Sequence, residues 1–409
     1  MQLKQILVNG ERLKETIEAF AAFGRTDKDG VTRLSLSEQD VQVRRYFAAC
    51  CEELGMSVET DDLGNMYATL AGSTEGPPIV IGSHLDTVKK GGRFDGVLGV
   101  IAGLEVARTL VDHGIQPRLP VTVMNFTNEE GARFEPSMMA SGVLSGKFDK
   151  ADMLEKKDTE GVSFGEALEA SGYAGEAENR IREAAAYLEL HIEQGPVLEK
   201  ENLQIGLVDC VVGMACYEIE VTGESDHAGT TPMEMRRDAL FAATDLITEL
   251  RRKLSVLDPE LVYTMGRMNV LPNIHTVIPN KVIFTVEARH KDMDVVREVE
   301  AVIHGLPEEL LDCTVSKSKL WGRDTVWFDP DICGLVADAT QKLGYSSRKL
   351  ASGAGHDAQF VAGFLPSAMI FVPSVNGKSH CEEELTSYED CESGVNVVLE
   401  TVLSLLSRA

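Results

Sequence analysis

Two textures of apolar and polar positions divide the chain. Up to about residue 211, short apolar runs alternate with longer amphipathic stretches. Glu11 to Phe23, Ser37 to Leu54 and Val97 to Asp112 carry helical apolar spacing, whereas Asn65 to Leu70, Ile79 to Gly82 and Val121 to Thr127 read as strands. Lys147 to Ala186 is charged and weakly periodic, which predicts helical excursions returning to a short strand at Tyr187 to Leu190. Apolar strands alternating with helices predict a largely parallel sheet covered on both faces.

From about Val212 the texture changes. The stretch ACYEIEVTG alternates, PMEMRRDALFAATDLITELRRKL reads as one long amphipathic helix, TMGRMNV and KVIFTVEARH alternate again, and MDVVREVEAVIHGL is a second helix. That order predicts a ferredoxin-like α+β unit with one sheet face covered and the other open. From about Trp327 the first texture resumes, with a helix at Ile332 to Leu343, the strand SAMIFVPS and a last helix through Leu406. The expected fold class is therefore α/β, a mostly parallel-sheet domain made of residues 1–211 and 327–409, interrupted at 212–326 by a smaller α+β domain. The open face and free edge of the smaller sheet need cover, and a homodimer through the inserted domain is the expectation.

Composition narrows the function. At 409 residues the chain is too long for one ordinary core, and 44% apolar with 25% charged residues is a globular composition. With 39 Lys and Arg against 65 Asp and Glu, the net charge of -26 repels polyanions, so nucleic acid is not an expected partner. No apolar run approaches the roughly 18 residues that span a bilayer, and the first residues lack a signal-peptide pattern, so no membrane partner and a cytoplasmic location are expected. The eight cysteines form no CxxC pair and read as reduced thiols.

Candidate chemistry gathers where predicted strands end. His84 and Asp86 follow the run PIVIG and are two apart, so on an extended chain they share a face, and one can ligate a metal while the other orients it. Asp95 follows a loop loosened by Gly91 and Gly92 and precedes Gly96. Glu129 and Glu130 follow another strand. Being adjacent, they point in different directions, so one can face a cation and the other a substrate. His191 ends the strand AYLELH, and His380 follows MIFVPS. Taken singly, each has an ordinary reading as a polar loop or a structural histidine. Together they make an inventory for two cations bridged by one carboxylate.

The motifs GSHLDTV…GGRFDGVLGV, FTNEEGARF, LHIEQGPVLE, DHAGTTPM, SGAGHDAQ and SVNGKSHCEEE, running in order from 82 to 384, resemble the di-metal amidohydrolases that include N-carbamoyl-L-amino-acid hydrolase, β-ureidopropionase and allantoate amidohydrolase. This is a branch of the wider aminoacylase and dipeptidase superfamily. The resemblance implies that Asp95 bridges two divalent metal ions, with His84 and His191 completing one site and Glu130 and His380 the other. It makes Glu129 the general base and Asp86 the orienter of His84. It also implies that His227, from a lid region, polarises the developing oxyanion, that Arg289 grips a substrate carboxylate, and that Gln194, Asn273, Gly355 and His356 line the substrate pocket. His227, Asn273 and Arg289 would act on their own or the partner chain's site. Glu287-Ala-Arg289 replaces the family's more usual aspartate-isoleucine (or leucine)-arginine, which bears on side-chain preference. Zinc suits the ligand set, as do manganese, cobalt and nickel. The expected substrate is a small ureido acid, an N-carbamoyl-L-amino acid in the first reading and allantoate in the second. An aminopeptidase or dipeptidase, or an inactive binding homologue, is the remaining alternative.

Overall fold

The computed structural model describes residues 5–408. They fall into two compact units, one formed up to Asp209 and again from Trp327 onward, the other by Cys210–Val326, which begins slightly before the change of texture at 212. Strands are numbered β1 to β15 along the chain.

The sheet of the first unit contains β1 (Ser57–Thr60), β2 (Met66–Leu70), β3 (Ile79–His84), β4 (Val121–Phe126), β5 (Ala186–Ile192), β6 (Ile205–Val211), β13 (Val326–Trp327), β14 (Ser347–Ser352) and β15 (Ser367–Val372). Their order is β1-β2-β4-β3-β5-β15-β6-β13, with β14 beside β6. The central pairs β4/β3, β3/β5 and β5/β15 are parallel, and β1/β2, β2/β4 and β15/β6 are antiparallel. Burial explains this layout. Every residue of β3, β4, β5 and β15 is buried, as in sheets covered on both faces. The helix Val97–Asp112 makes the crossover that a parallel pair requires, between β3 and β4. From β3 the chain moves to one neighbour, β4, and then returns past it to the other, β5. That reversal opens a crevice at the carboxyl ends of the strands.

In the second unit, β7 (Gly213–Thr222), β8 (Val262–Thr264), β9 (Met268–Leu271), β10 (Lys281–His290), β11 (Glu309–Leu310) and β12 (Cys313–Arg323) form an antiparallel sheet, with β7 between β10 and β12. One face packs on the helices Ala239–Leu254 and Met293–His304, where Tyr217, Ile219, Val221, Phe284 and Val286 meet Leu246, Leu250, Val299 and Ile303. Two expectations change here. The long helix starts only at Ala239, because Asp238 caps it by accepting from the N–H groups of Leu240 and Phe241; Met233–Met235 is a separate 3₁₀ turn. The stretch read as one strand, TMGRMNV, is split between β8 and β9, which both pair with β10.

A candidate di-metal centre and its substrate-binding residues

His84 is the last residue of β3, His191 lies near the end of β5, Glu129 and Glu130 follow β4, and His380 sits in the loop after β15. Asp95 is carried by the loop after β3 and precedes the crossover helix. Gly96 makes its approach possible. It has φ +68°, and a Cβ there would stand 2.2 Å from His84 Nε2. Gly92 is equally constrained, since its Cβ would meet Glu384 Oε1 at 1.9 Å.

The side chains form two donor groups that share one residue. His84 Nε2 and His191 Nε2 lie 3.7 and 3.1 Å from Asp95 Oδ1. On the other side, His380 Nε2 lies 3.4 Å from both Asp95 Oδ2 and Glu130 Oε2. Within each group the donor atoms fall within 4.8 Å of one another. Asp95 therefore turns one oxygen to each group. Glu129 Oε2 stands 3.5 Å from His84 Nε2, so the adjacent glutamates face different groups, as their alternation predicts. His84 Nδ1 lies 2.9 Å from the Asp86 carbonyl oxygen, and His191 Nδ1 lies 2.9 Å from that of Ile192. With a proton on each Nδ1 donated to these carbonyls, Nε2 is left with a free lone pair, able to ligate a cation.

Charge fits the same purpose. Burial, then the charges of Asp357, Glu130, Asp86 and Asp95, push Glu129 well above the usual carboxylate range, and burial with Asp95, Asp86 and Glu384 does the same to Glu130. Burial also opposes ionisation of Asp95, but His191, His380 and His84 outweigh it and hold that carboxyl well below its ordinary value. Burial lowers His84 to about 4, which keeps it neutral. His191, although buried, is raised to about 9 by Asp95 and Glu189. Buried carboxylates without partners cost several kcal/mol each, so this pocket favours added positive charge. The nitrogen and carboxylate donors, shared by one bridging residue, fit two divalent cations.

Asp86 corrects one expectation. Its backbone carbonyl, rather than its carboxylate, holds His84; the nearer carboxylate oxygen is 3.9 Å from Nδ1. The strand ends at His84, so the shared-face argument does not carry through to Asp86. The carboxylate instead accepts the backbone N–H groups of Glu129 and Glu130 at 3.3 Å, and so orders both glutamates. Gln194 donates its Nε2 to Asp95 Oδ2 at 2.7 Å, against the carboxylate common to both donor groups, and its Oε1 is buried without a hydrogen-bond partner among the described residues. His356 is buried with its ring edge-on to His191 at 4.5 Å and bonded to Ser352; Gly355 precedes it, half-buried.

Several supporting residues escaped the sequence reading. Glu384 Oε1 accepts the backbone N–H groups of Phe94 and Asp95, and Ser379 bridges Glu384 and Asp95. Glu189 is fully buried and takes hydrogen bonds from Ser83, Tyr187 and the Ala358 N–H. A carboxylate in the mainly apolar run AYLEL, two residues before His191, was a usable signal for Glu189. Glu384 gave none, since three consecutive glutamates read as a solvated loop.

The second unit holds His227, Asn273 and Arg289. His227 is exposed in a turn whose Gly229 N–H donates to its Nδ1 at 3.0 Å, which leaves the proton on Nε2 as a donor. The segment bearing Asn273 lies alongside, through the Ala228 N–H to Thr276 O bond and the bridge between His227 and Val277. Asn273 is exposed with φ 61°, a conformation asparagine tolerates. Arg289 is half-buried on β10 and ion-paired with Glu287 at 2.7 Å.

Residues 80–404 match the family model described as Peptidase family M20/M25/M40. An N-carbamoyl-L-amino-acid amidohydrolase of Rhizobium meliloti is 42% identical over 402 residues, covering 97% of this chain and 96% of its own. An allantoate amidohydrolase of Bacillus subtilis is 33% identical, with 98% and 99% covered. A crystal structure described as an amidase of the hydantoinase/carbamoylase family from Burkholderia multivorans superposes with a TM-score of 0.92 at 40% identity, covering 98% of both chains.

Proposed function

The chain belongs to peptidase family M20/M25/M40, and on that premise we propose that it hydrolyses the ureido C–N bond of N-carbamoyl-L-amino acids, yielding the amino acid, ammonia and carbon dioxide. The observation that carries this reading is the pair of donor groups sharing Asp95, with Glu129 beside them. His84, Asp95 and His191 would hold one divalent cation and Asp95, Glu130 and His380 the other. Cations there lower the pKa of water towards neutrality and polarise the scissile carbonyl; zinc, or manganese, cobalt or nickel, suits the set.

The chain's own groups supply the rest. Glu129, lifted above the ordinary carboxylate range, is basic enough to take the water proton and acidic enough to pass it to the leaving nitrogen. That transfer expels the amino acid as a neutral amine and leaves carbamate, which breaks down to ammonia and carbon dioxide. His227 offers an Nε2–H to the oxyanion of the tetrahedral intermediate. Arg289 receives the substrate carboxylate. These last two roles, with that of Asn273, place part of the site in the second unit, supplied by the same chain or by the partner of a homodimer.

Allantoate is the second substrate considered, on the strength of the relative that bears that name. The deciding experiment measures ammonia release from several N-carbamoyl-L-amino acids, N-carbamoyl-β-alanine and allantoate, with metal added and removed. Metal-dependent release from the N-carbamoyl-L-amino acids is the expected result. Preference for allantoate would move the assignment to the second substrate, and release from none, with peptide cleavage instead, would end it.

A further inference from the structure

The open face of the second unit's sheet carries two arginines in one row. Met214 on β7 is paired with Arg289 of β10 on one side and with Arg323 of β12 on the other. Residues paired across neighbouring strands point to the same face, so both guanidiniums lie on the side away from the covering helices. In the next row Glu287 and Trp321 flank Cys216. Glu287 serves Arg289: its Oε1 accepts from Nε at 2.8 Å and lies 2.7 Å from Nη2. Arg323 is largely buried. Its Nε reaches the Val212 carbonyl at 3.3 Å, and its Nη2 is buried without a hydrogen-bond partner among the described residues. Burial, then the charge of Arg289, lowers Arg323 to about 10, with Glu287 offsetting part of the effect. Asp324, next along the chain, acts on Arg297 instead.

The arithmetic of charge is simple. Arg289 and Glu287 cancel, so a carboxylate meeting that pair alone would find little net attraction. Two guanidiniums and one carboxylate leave one positive charge and one buried N–H to be matched by an anion. We propose that Arg323 and Arg289 together bind the carboxylate of the ureido acid, Arg323 supplying the uncompensated charge and Glu287 setting how strongly the pair attracts anions. The identity of the anion rests on the ureido-acid reading above. A purely structural Arg323, fastening β12 to Val212, would affect folding without distinguishing charged from neutral substrates.

The test compares N-carbamoyl-L-alanine with its neutral amide on the metal-loaded, full-length protein. Arg323→Gln is expected to lower the acid-over-amide preference in kcat/KM by about tenfold or more. Arg323→Lys should recover part of it, and Glu287→Gln should raise it. A preference unchanged in folded Arg323→Gln or Arg323→Lys overturns the proposal. Calorimetric titration with succinate provides a readout without turnover: weaker binding to Arg323→Gln supports the arginine pair, and equal binding overturns it. If the unaltered protein releases ammonia from no ureido acid, the functional reading falls, and the succinate titration still decides whether the arginine pair binds anions.

Discussion

The surroundings of Asp95 and those of His227 are both crowded with polar side chains, yet they are held in opposite ways. Around Asp95 most groups are buried and fixed by another, although His380 is exposed. His84 and His191 are tied to carbonyls, Asp86 grips two backbone N–H groups, Glu384 grips two more, and Gly96 is packed against His84. Around His227 and Asn273 the side chains are exposed on turns, and local backbone geometry alone sets their direction. Metal chemistry needs donor atoms placed to fractions of an ångström, a demand that the buried strand-end residues His84 and His191 are placed to meet. Groups that meet a substrate have to admit and release it, which suits the exposed turns that carry His227 and Asn273, whereas Arg289 is held on β10.

The contrast can be broken at several points. Asp95→Asn removes the shared ligand, and metal content should fall from about two ions per chain to below one, with ammonia release lost; an unchanged metal count would show that the groups do not share it. Glu129→Gln should keep the metal and lower kcat by about 10²- to 10⁴-fold, as read by metal analysis alongside steady-state rates. His227→Ala should lower kcat by about 10²- to 10³-fold and leave metal content and melting temperature unaltered, because its side chain is exposed on a turn. Gly96→Ala should do the reverse of a loop substitution, lowering metal affinity and destabilising the fold by at least about 1 kcal/mol, measured by denaturant unfolding. The smallest effect is expected from Arg289→Lys, a rise in KM of about tenfold with kcat less affected, because a bidentate fork becomes a point charge.

The legibility of these regions in the sequence differs for the same physical reason. The buried strands and crossover helix announced themselves through composition: β3, β10 and Val97–Asp112 stand close to where apolar periodicity puts them. The metal-ligating types did too, because histidine and paired carboxylates at strand ends are costly without a purpose. What failed were features fixed by local geometry or distant partners. Asp238 starts its helix later than amphipathicity suggested. The carboxylate of Asp86 turned to Glu129 and Glu130 once the strand ended. Glu384 acts on a loop almost 300 residues earlier in the chain, and no pattern near it records that contact. β12, with its register shift between Lys319 and Trp321, was not located by alternation, and Arg323 went unnoticed with it.

The placement of β15 between β5 and β6 carries a consequence for how the molecule comes into being. The ribosome finishes the whole inserted unit before it makes β15, His380 and Glu384. The earlier half of the larger sheet must therefore wait, with a gap beside β5, while the inserted unit can already have collapsed on its own helices. The strand that completes the larger sheet and the last of the proposed metal donors thus leave the ribosome together, so a chain terminated before β15 would lack both.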